Sequence, residues 1–335
     1  MKTRAVRLHN ANDLRMDTFE LPEMTEEEIL VKVVSNSICM STYKATVLGK
    51  NHKRVPNDID VNPIVTGHEF AGVIVKVGKK WQHQFKAGDK FGIQPALNYK
   101  GSMDSPGYSF RWYGGNMTYA IIPNEVMEIN CLINYSGDAY FEASLAEPMS
   151  CVIGGFHASY HVLPSTYTHI MDIQKNGSLA ILGGCGPMGM GAIDYAIHRD
   201  IKPSVIVVTD ISDDRLKRAS GILTVEEAKK QGVALHYVNP NKHEDPIGYM
   251  KSLNNNLGYD DVFVYVPYQD LVVQGDKLLG KDGCMNFFAG PIDNEFSAPI
   301  NMYNIHYAAT KIIGSTGGNT DDMLESLDMT AKGLI

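Results

Sequence analysis

Cys39, His68 and Glu147 are residue types that bind transition-series cations, and Glu69 stands directly beside the histidine. A catalytic zinc takes about three protein ligands from cysteine, histidine and carboxylate and keeps one position open for water or substrate. Cys39, His68 and Glu147 supply that mixture. Glu69 is either a fourth ligand or a group bonded behind the ligands, and Glu147 has the alternative of an ordinary helix residue ahead of Pro148. Singly, each piece is ambiguous: a lone cysteine is usually a small buried hydrophobe, and a His-Glu pair closing an apolar run is common. The order gives them weight, because the run Gly184-Cys185-Gly186-Pro187-Met188-Gly189 follows downstream.

That run has the context a phosphate-binding turn needs. The apolar stretch Ser178-Leu-Ala-Ile-Leu precedes it, and residues from Met188 to His198 read as a helix. The first turn of such a unit must be tight, must admit a pyrophosphate and must let the helix pack closely; these demands fall on Gly184, Gly186 and Gly189. Pro187 and Met188 lie within the same turn, where free helix N–H groups and the macrodipole favour an anion. The acidic residue expected about 20 residues on is Asp210, closing Val205-Ile-Val-Val-Thr. A carboxylate there accepts both hydrogen bonds of an adenosine ribose and favours NAD over NADP, although Arg215 and Lys217 could partly offset its repulsion of a 2′-phosphate. The alternative is that Asp210 caps the following helix.

Positioning these groups requires two kinds of framework. From residue 1 to about residue 119 short runs alternate apolar and polar, as in Ile29-Leu-Val-Lys-Val-Val, and predict an all-β domain with long loops. After Glu142 the text reads as helix around an interruption at Pro148. Strand and helix then alternate, with further strands expected at Ser204 to Thr209, Ala234 to Val238, Val262 to Val266, Cys284 to Ala289 and Lys311 to Ser315. Six strands make a doubly wound parallel sheet. The division expected is 1–153, 154–317 and a final segment, 318–335, that starts back toward the first domain and looks truncated at Ile335.

Composition bounds the function. A chain of 335 residues, 44% hydrophobic and 20% charged, can build two cores. A net charge of −8 without a basic patch argues against nucleic acid and anionic membranes as partners. No apolar span or export signal is read, and the five scattered cysteines fit reduced thiols, so a cytoplasmic location is expected.

Taken together, Cys39 with Ser41, Gly67-His-Glu-Phe-Ala-Gly, Val77-Gly, Ala87-Gly-Asp-Lys, Gly114-Gly-Asn-Met-Thr-Tyr-Ala, Glu147-Pro and the glycine run resemble the zinc-dependent medium-chain dehydrogenases, the alcohol and polyol dehydrogenase superfamily. The resemblance covers essentially the whole chain. It implies a GroES-like catalytic β-barrel domain, a Rossmann cofactor domain, and a cleft between them for zinc and nicotinamide. It makes Ser41 the hydroxyl that relays the alcohol proton, unless it is a loop serine bonded to backbone, and it implies a homodimer or homotetramer, with residues 301–307 near the interface.

Departures from the family pattern bear on substrate. The aspartate of the usual Cys-Gly-Ser/Thr-Asp run is Thr42, and a histidine often found five residues after the cysteine is Lys44, which alters the proton relay. The four-cysteine structural-zinc lobe is missing between Gln94 and Gly115, so one zinc per chain is expected. The Arg-Tyr pair of polyol dehydrogenases is replaced by Thr316-Gly317. Lys44, Lys53, Arg54 and Arg111 could hold a substrate phosphate, or be solvated surface charge. The pattern is most similar to the L-sorbose 1-phosphate reductase branch, which reduces a ketose 1-phosphate to a hexitol phosphate. That branch is associated with NADPH, whereas Asp210 points to NAD. The alternatives are a dehydrogenase of an unphosphorylated polyol or secondary alcohol and a non-catalytic nucleotide-binding relative.

Overall fold

The computed structural model describes residues 1–315 and 317–335; Thr316, of the Thr316-Gly317 replacement, lies outside the described residues. The chain divides into two compact units, 1–150 with 319–334, and 151–318.

The first unit is built on antiparallel strands. β1 (Lys2–Asn10) pairs with β2 (Asp13–Glu20). β3 (Ile29–Asn36) is followed by helix α1 (Met40–Leu48) and the short β4 (Ile64–Val65), which pairs with β1. β5 (Phe70–Val77), β6 (Lys90–Ile93), β7 (Tyr119–Ile122) and, after helix α2 (Asn124–Glu128), β8 (Leu132–Asn134) complete a sheet of order β7-β3-β5-β6-β8. Its inner face buries Ile29, Val31, Phe70, Ile74, Phe91 and Ile93 in one core. Helix α1 replaces what the alternation predicts as loop in an all-β domain. Only Ala45 of α1 is buried and its N-cap, Cys39, makes no side-chain cap, so the segment lacks an apolar stripe and a capping signal.

Helix α3 (Tyr140–Ala158) runs on where an interruption at Pro148 is expected. A proline inside a helix costs roughly 3 kcal/mol. Burial of Ala143 and Ala146 before it, and of Val152, Ile153 and Phe156 after it, holds both halves in place.

The second unit opens with an antiparallel pair the sequence does not announce, β9 (Tyr160–Val162) with β10 (His169–Met171). β11 (Ser178–Leu182), α4 (Pro187–His198), β12 (Val205–Thr209), α5 (Asp213–Ile222), α6 (Val225–Lys230), β13 (Ala234–Val238), α7 (Pro246–Ser252), β14 (Tyr259–Val264), α8 (Gln269–Leu278), β15 (Leu279–Phe287), α9 (Met302–Tyr307) and β16 (Lys311–Gly314) follow. The strands form one parallel sheet in the order β13-β12-β11-β14-β15-β16, the doubly wound Rossmann order. Every residue of β11 is buried, as expected of a central parallel strand covered on both faces. β14 and β15 begin earlier than their apolar runs suggest. Their first residues include Asp260, Asp261 and Asp282, whose carboxylates are consumed by internal hydrogen bonds.

The last helix, α10 (Thr320–Ala331), belongs to the first unit. Met323 and Leu327 pack with Ala71, Ile133, Tyr135, Ala143 and Ala146, and Asn319 with Asp322 forms a capping box at its start.

Candidate active site and cofactor turn

The metal-binding candidates come from three places in the first unit. Cys39 stands at the N-cap of α1 and Ser41 on its first turn. His68 and Glu69 occupy the turn into β5, and that turn depends on Gly67, which has φ +86° and whose added Cβ would lie 2.8 Å from Asn116 N. The Gly114–Ala120 landmark supports the turn from behind. Gly115 N donates to Gly67 O at 2.7 Å, and Asn116 Nδ2 donates to Thr66 Oγ1 at 2.9 Å.

Cys39, His68 and Glu69 present sulfur, nitrogen and oxygen donors all within 4.8 Å of one another. Ser41 Oγ donates to Cys39 Sγ at 2.9 Å and lies 3.3 Å from His68 Nε2, which is itself 3.9 Å from Glu69 Oε1. Ser37 Oγ donates to the other Glu69 oxygen in a short hydrogen bond. Glu147, on α3, is buried but is not in this three-donor group; its charge is felt at Tyr108. Lys44 lies half-buried on α1, one turn beyond Ser41.

The electrostatics suit a cation. Burial, then the charge of Arg54, holds the His68 pKa down at about 4, so the imidazole is neutral with a lone pair to give. His68 Nδ1 is buried with no hydrogen-bond partner among the described residues. Burial and then Glu69 push the Cys39 thiol up to about 11. A thiolate beside a carboxylate is therefore unfavourable for the protein alone and becomes favourable against a divalent ion. Donor chemistry, spacing and charge all fit zinc.

Tyr108 is a member of this site that sequence reasoning missed. Its ring lies 5.1 Å from that of His68, its hydroxyl hydrogen-bonds Ser41, and burial raises its pKa well above the ordinary phenol value. His52 stacks on it at 5.3 Å and 11°. Nothing in Gly107-Tyr-Ser marks the tyrosine, because its partners are distant along the chain.

In the second unit the glycine run joins β11 to α4, with Gly186 at the N-cap and Pro187 and Met188 as the first residues of the helix. A Cβ at Gly189 would sit 2.4 Å from Gly184 O, and one at Gly184 would sit 2.7 Å from Ile181 Cγ2, so both are needed for close packing. A Cβ at Gly186 would meet nothing within 4 Å: that glycine leaves space beside the helix N-terminus, where a pyrophosphate fits. Asp210 is buried immediately after β12 and its Oδ1 accepts from Ser212 N at 3.0 Å. The cap of α5 is Ser212, which accepts from Arg215 N, so the helix-cap alternative for Asp210 falls away. Arg215 lies on the first turn of α5, and Arg218 Nη2 donates to Cys185 O at 3.2 Å in the glycine turn.

Comparison with known proteins agrees with both halves. The model of the alcohol dehydrogenase GroES-like domain matches residues 25–130, and that of the zinc-binding dehydrogenases matches residues 187–332. The chain is 53% identical over 332 residues to mannitol-1-phosphate 5-dehydrogenase of Aliivibrio fischeri, covering 99% of this chain and 78% of that protein. It is 48% identical over 321 residues to L-sorbose 1-phosphate reductase of Klebsiella pneumoniae, covering 96% and 77%. In fold it matches the crystal structure of 2R,3R-butanediol dehydrogenase from Bacillus subtilis with a TM-score of 0.77 at 20% identity, over 99% of this chain and 88% of that one. Among the described residues no helix is long and apolar enough to cross a membrane. The chain belongs to the zinc-dependent medium-chain dehydrogenases and is an NAD(P)-dependent oxidoreductase of alcohol groups.

Proposed function

We propose that the chain interconverts a ketose phosphate and a hexitol phosphate, as a reductase of a ketose 1-phosphate such as L-sorbose 1-phosphate that forms glucitol 6-phosphate. The observation that carries this reading is that relatives at 53% and 48% identity, spanning nearly the whole chain, are both named for phosphorylated six-carbon substrates. Oxidation of mannitol 1-phosphate is the second reading, favoured by the higher of these identities, and uses the same residues.

When bound, zinc supplies Lewis acidity at the substrate oxygen and the nicotinamide carries the hydride. Cys39, His68 and Glu69 would hold the ion, with Glu147 a further carboxylate candidate. One ion per chain is the reading, since the Gln94–Gly115 stretch has no cysteine. Ser41, hydrogen-bonded beside Cys39 and His68, takes the alcohol proton outward in oxidation and returns it in reduction. Tyr108 stays protonated and holds the Ser41 hydroxyl in line. Lys44, one turn along α1, is the candidate for the relay position where relatives often carry histidine. Asp210 favours NAD over NADP through the ribose hydroxyls. A cytoplasmic homodimer or homotetramer completes the reading; Met302, Tyr303 and Tyr307, exposed on α9, suit a subunit contact, which light scattering tests.

The full-length protein should contain about one zinc per chain by metal analysis. With NADH and with NADPH it should reduce sorbose 1-phosphate and fructose 1-phosphate far faster than sorbose and fructose. Equal rates on fructose 1-phosphate and fructose would sink the phosphate reading.

A further inference from the structure

Four cations of the first unit are candidates for reading a substrate phosphate, and their surroundings separate them. Arg111 is exposed and lies 3.4 Å from Asp58, a surface pair. Lys53 is exposed. Lys44 sits on α1, half-buried. Arg54 is also half-buried, with its guanidinium 5.5 Å from the centre of the Tyr108 ring, the ring that touches His68. One aromatic side chain therefore separates Arg54 from a metal-ligand candidate.

Two more mostly buried arginines differ from Arg54 in having a carboxylate partner: Arg199 pairs with Asp172, although its Nε and Nη1 are buried without a partner among the described residues, and Arg7 lies near Asp17. Arg7 gives Nε and Nη2 to the Pro63 carbonyl at 3.2 and 2.7 Å, and its Nη1 lies 3.6 Å from Asp17. It also rests on Phe19 and Trp112, so its charge and its donors are both used. The Nε of Arg54 is sealed from water and has no hydrogen-bond partner among the described residues. Its main chain, by contrast, is firmly held. Arg54 N donates to His52 Nδ1 at 3.3 Å, and Ser109 Oγ, next to Tyr108, donates to Arg54 O at 2.8 Å. The buried Nε is out of reach of a ligand, but a half-buried guanidinium anchored at its backbone and lying over an aromatic ring can offer its terminal Nη pair to a bidentate anion.

We propose that Arg54 is the group that selects a phosphate ester, binding the substrate phosphate across Tyr108 from the Cys39, His68 and Glu69 cluster. This rests on the polyol-phosphate reading above and names the residue that enforces it. The chemistry required is that of a sugar or polyol phosphate dianion, which a fork of N–H donors meets with two parallel hydrogen bonds and which an uncharged polyol cannot match.

The test uses the full-length zinc-loaded protein, its Arg54→Ala and Arg54→Lys variants, and the pair fructose 1-phosphate and fructose. The preference of the wild type for the phosphorylated member should fall about 50-fold in Arg54→Ala, in KM more than in kcat, and recover only partly in Arg54→Lys. Calorimetric binding of glucitol 6-phosphate should weaken by a similar factor. Arg54→Gln serves in place of the alanine variant if that one does not fold, and zinc content with thermal midpoint reports the fold. A wild type that prefers the phosphate ester beside an Arg54→Ala protein with the same preference and the same affinity overturns the role of Arg54 and leaves the reading of the enzyme standing. A wild type without that preference removes both.

Discussion

The molecule buries two histidines among carboxylates, His68 in the first unit and His161 in the second, and it treats them in opposite ways. His161 uses both nitrogens: Nε2 lies 3.1 and 3.2 Å from the two oxygens of Asp261, and Nδ1 lies 3.1 Å from Asp282 O. The carboxylates have other partners too. Asp261 accepts from Gln174 N and Asp282 from Val162 N, each at 2.9 Å, while Lys311 forms a short ion pair with Asp282. Burial pushes the His161 pKa down, but the bond to Asp261 and its charge outweigh it and leave the pKa raised. His68 has one nitrogen without a partner, a depressed pKa, a thiol held protonated and a carboxylate nearby. A buried polar cluster that serves only the fold closes its hydrogen bonds and balances its charge. The cluster around His68 is left short of positive charge, which is what a site for a divalent cation requires.

The strongest break in this contrast comes from removing a ligand. Cys39→Ala or His68→Ala should lower bound zinc from about one per chain to a small fraction and reduce turnover by about 1,000-fold or more. Metal analysis beside steady-state rates checks this. A His68→Ala protein that kept its zinc and its rate would remove His68 from the functional side of the comparison.

The same operation on the closed cluster should cost stability instead. His161→Ala leaves Asp261 buried without its partner and should destabilise the fold by about 3 kcal/mol. Chemical denaturation measures the loss, and zinc per chain should match the wild type. Loss of zinc in this variant would show that the two clusters are not separate in role.

How much of this was legible depends on how local each signal is. The second unit's sheet could be read because central parallel strands are apolar on both faces, as in Ser178–Leu182. The early starts of β14 and β15 could not, since Asp260, Asp261 and Asp282 look like loop residues until their partners are known. Cys39, His68, Glu69 and the glycine turn stand out by type and order. Tyr108 and Ser37 do not: each acquires its meaning from a contact across tens of residues, Ser37 with Glu69 and Tyr108 with His68, and Arg54 was legible only as one of four basic residues until its place over Tyr108 set it apart. Glu147 was legible as an acidic residue before proline, yet the three-donor group forms with Glu69.

The contrast between closed and open surroundings extends to the glycine turn, with smaller effects. Gly189→Ala forces a Cβ to within 2.4 Å of Gly184 O and should destabilise by about 2 kcal/mol. Gly186→Ala meets no protein atom within 4 Å and should change stability by less than about 0.5 kcal/mol. It should instead raise the Kd for NADH about 10-fold, because the methyl group occupies space a pyrophosphate would use. Denaturation and cofactor fluorescence titration on the same two variants separate the roles. Equal affinities in the Gly186→Ala protein and the wild type would remove that glycine from the phosphate contact.

The smallest effect is a slope with pH, and its sign distinguishes a balanced histidine from an unbalanced one. A histidine whose folded pKa is raised binds its proton more tightly in the native state. Its stabilisation is complete below the unfolded pKa of about 6.5 and is lost as pH rises through the folded value. In Asp261→Asn the imidazole keeps a hydrogen-bond acceptor but loses the charge that raises its pKa. The stability difference between wild type and Asp261→Asn should therefore be larger near about pH 6 than near about pH 9. Its change across that range should be a fraction of the His161→Ala loss. Urea denaturation at several pH values measures it. A difference that stayed flat, or grew with pH, would mean that His161 is neutral in its cluster, and the closed network would then rest on hydrogen bonds alone.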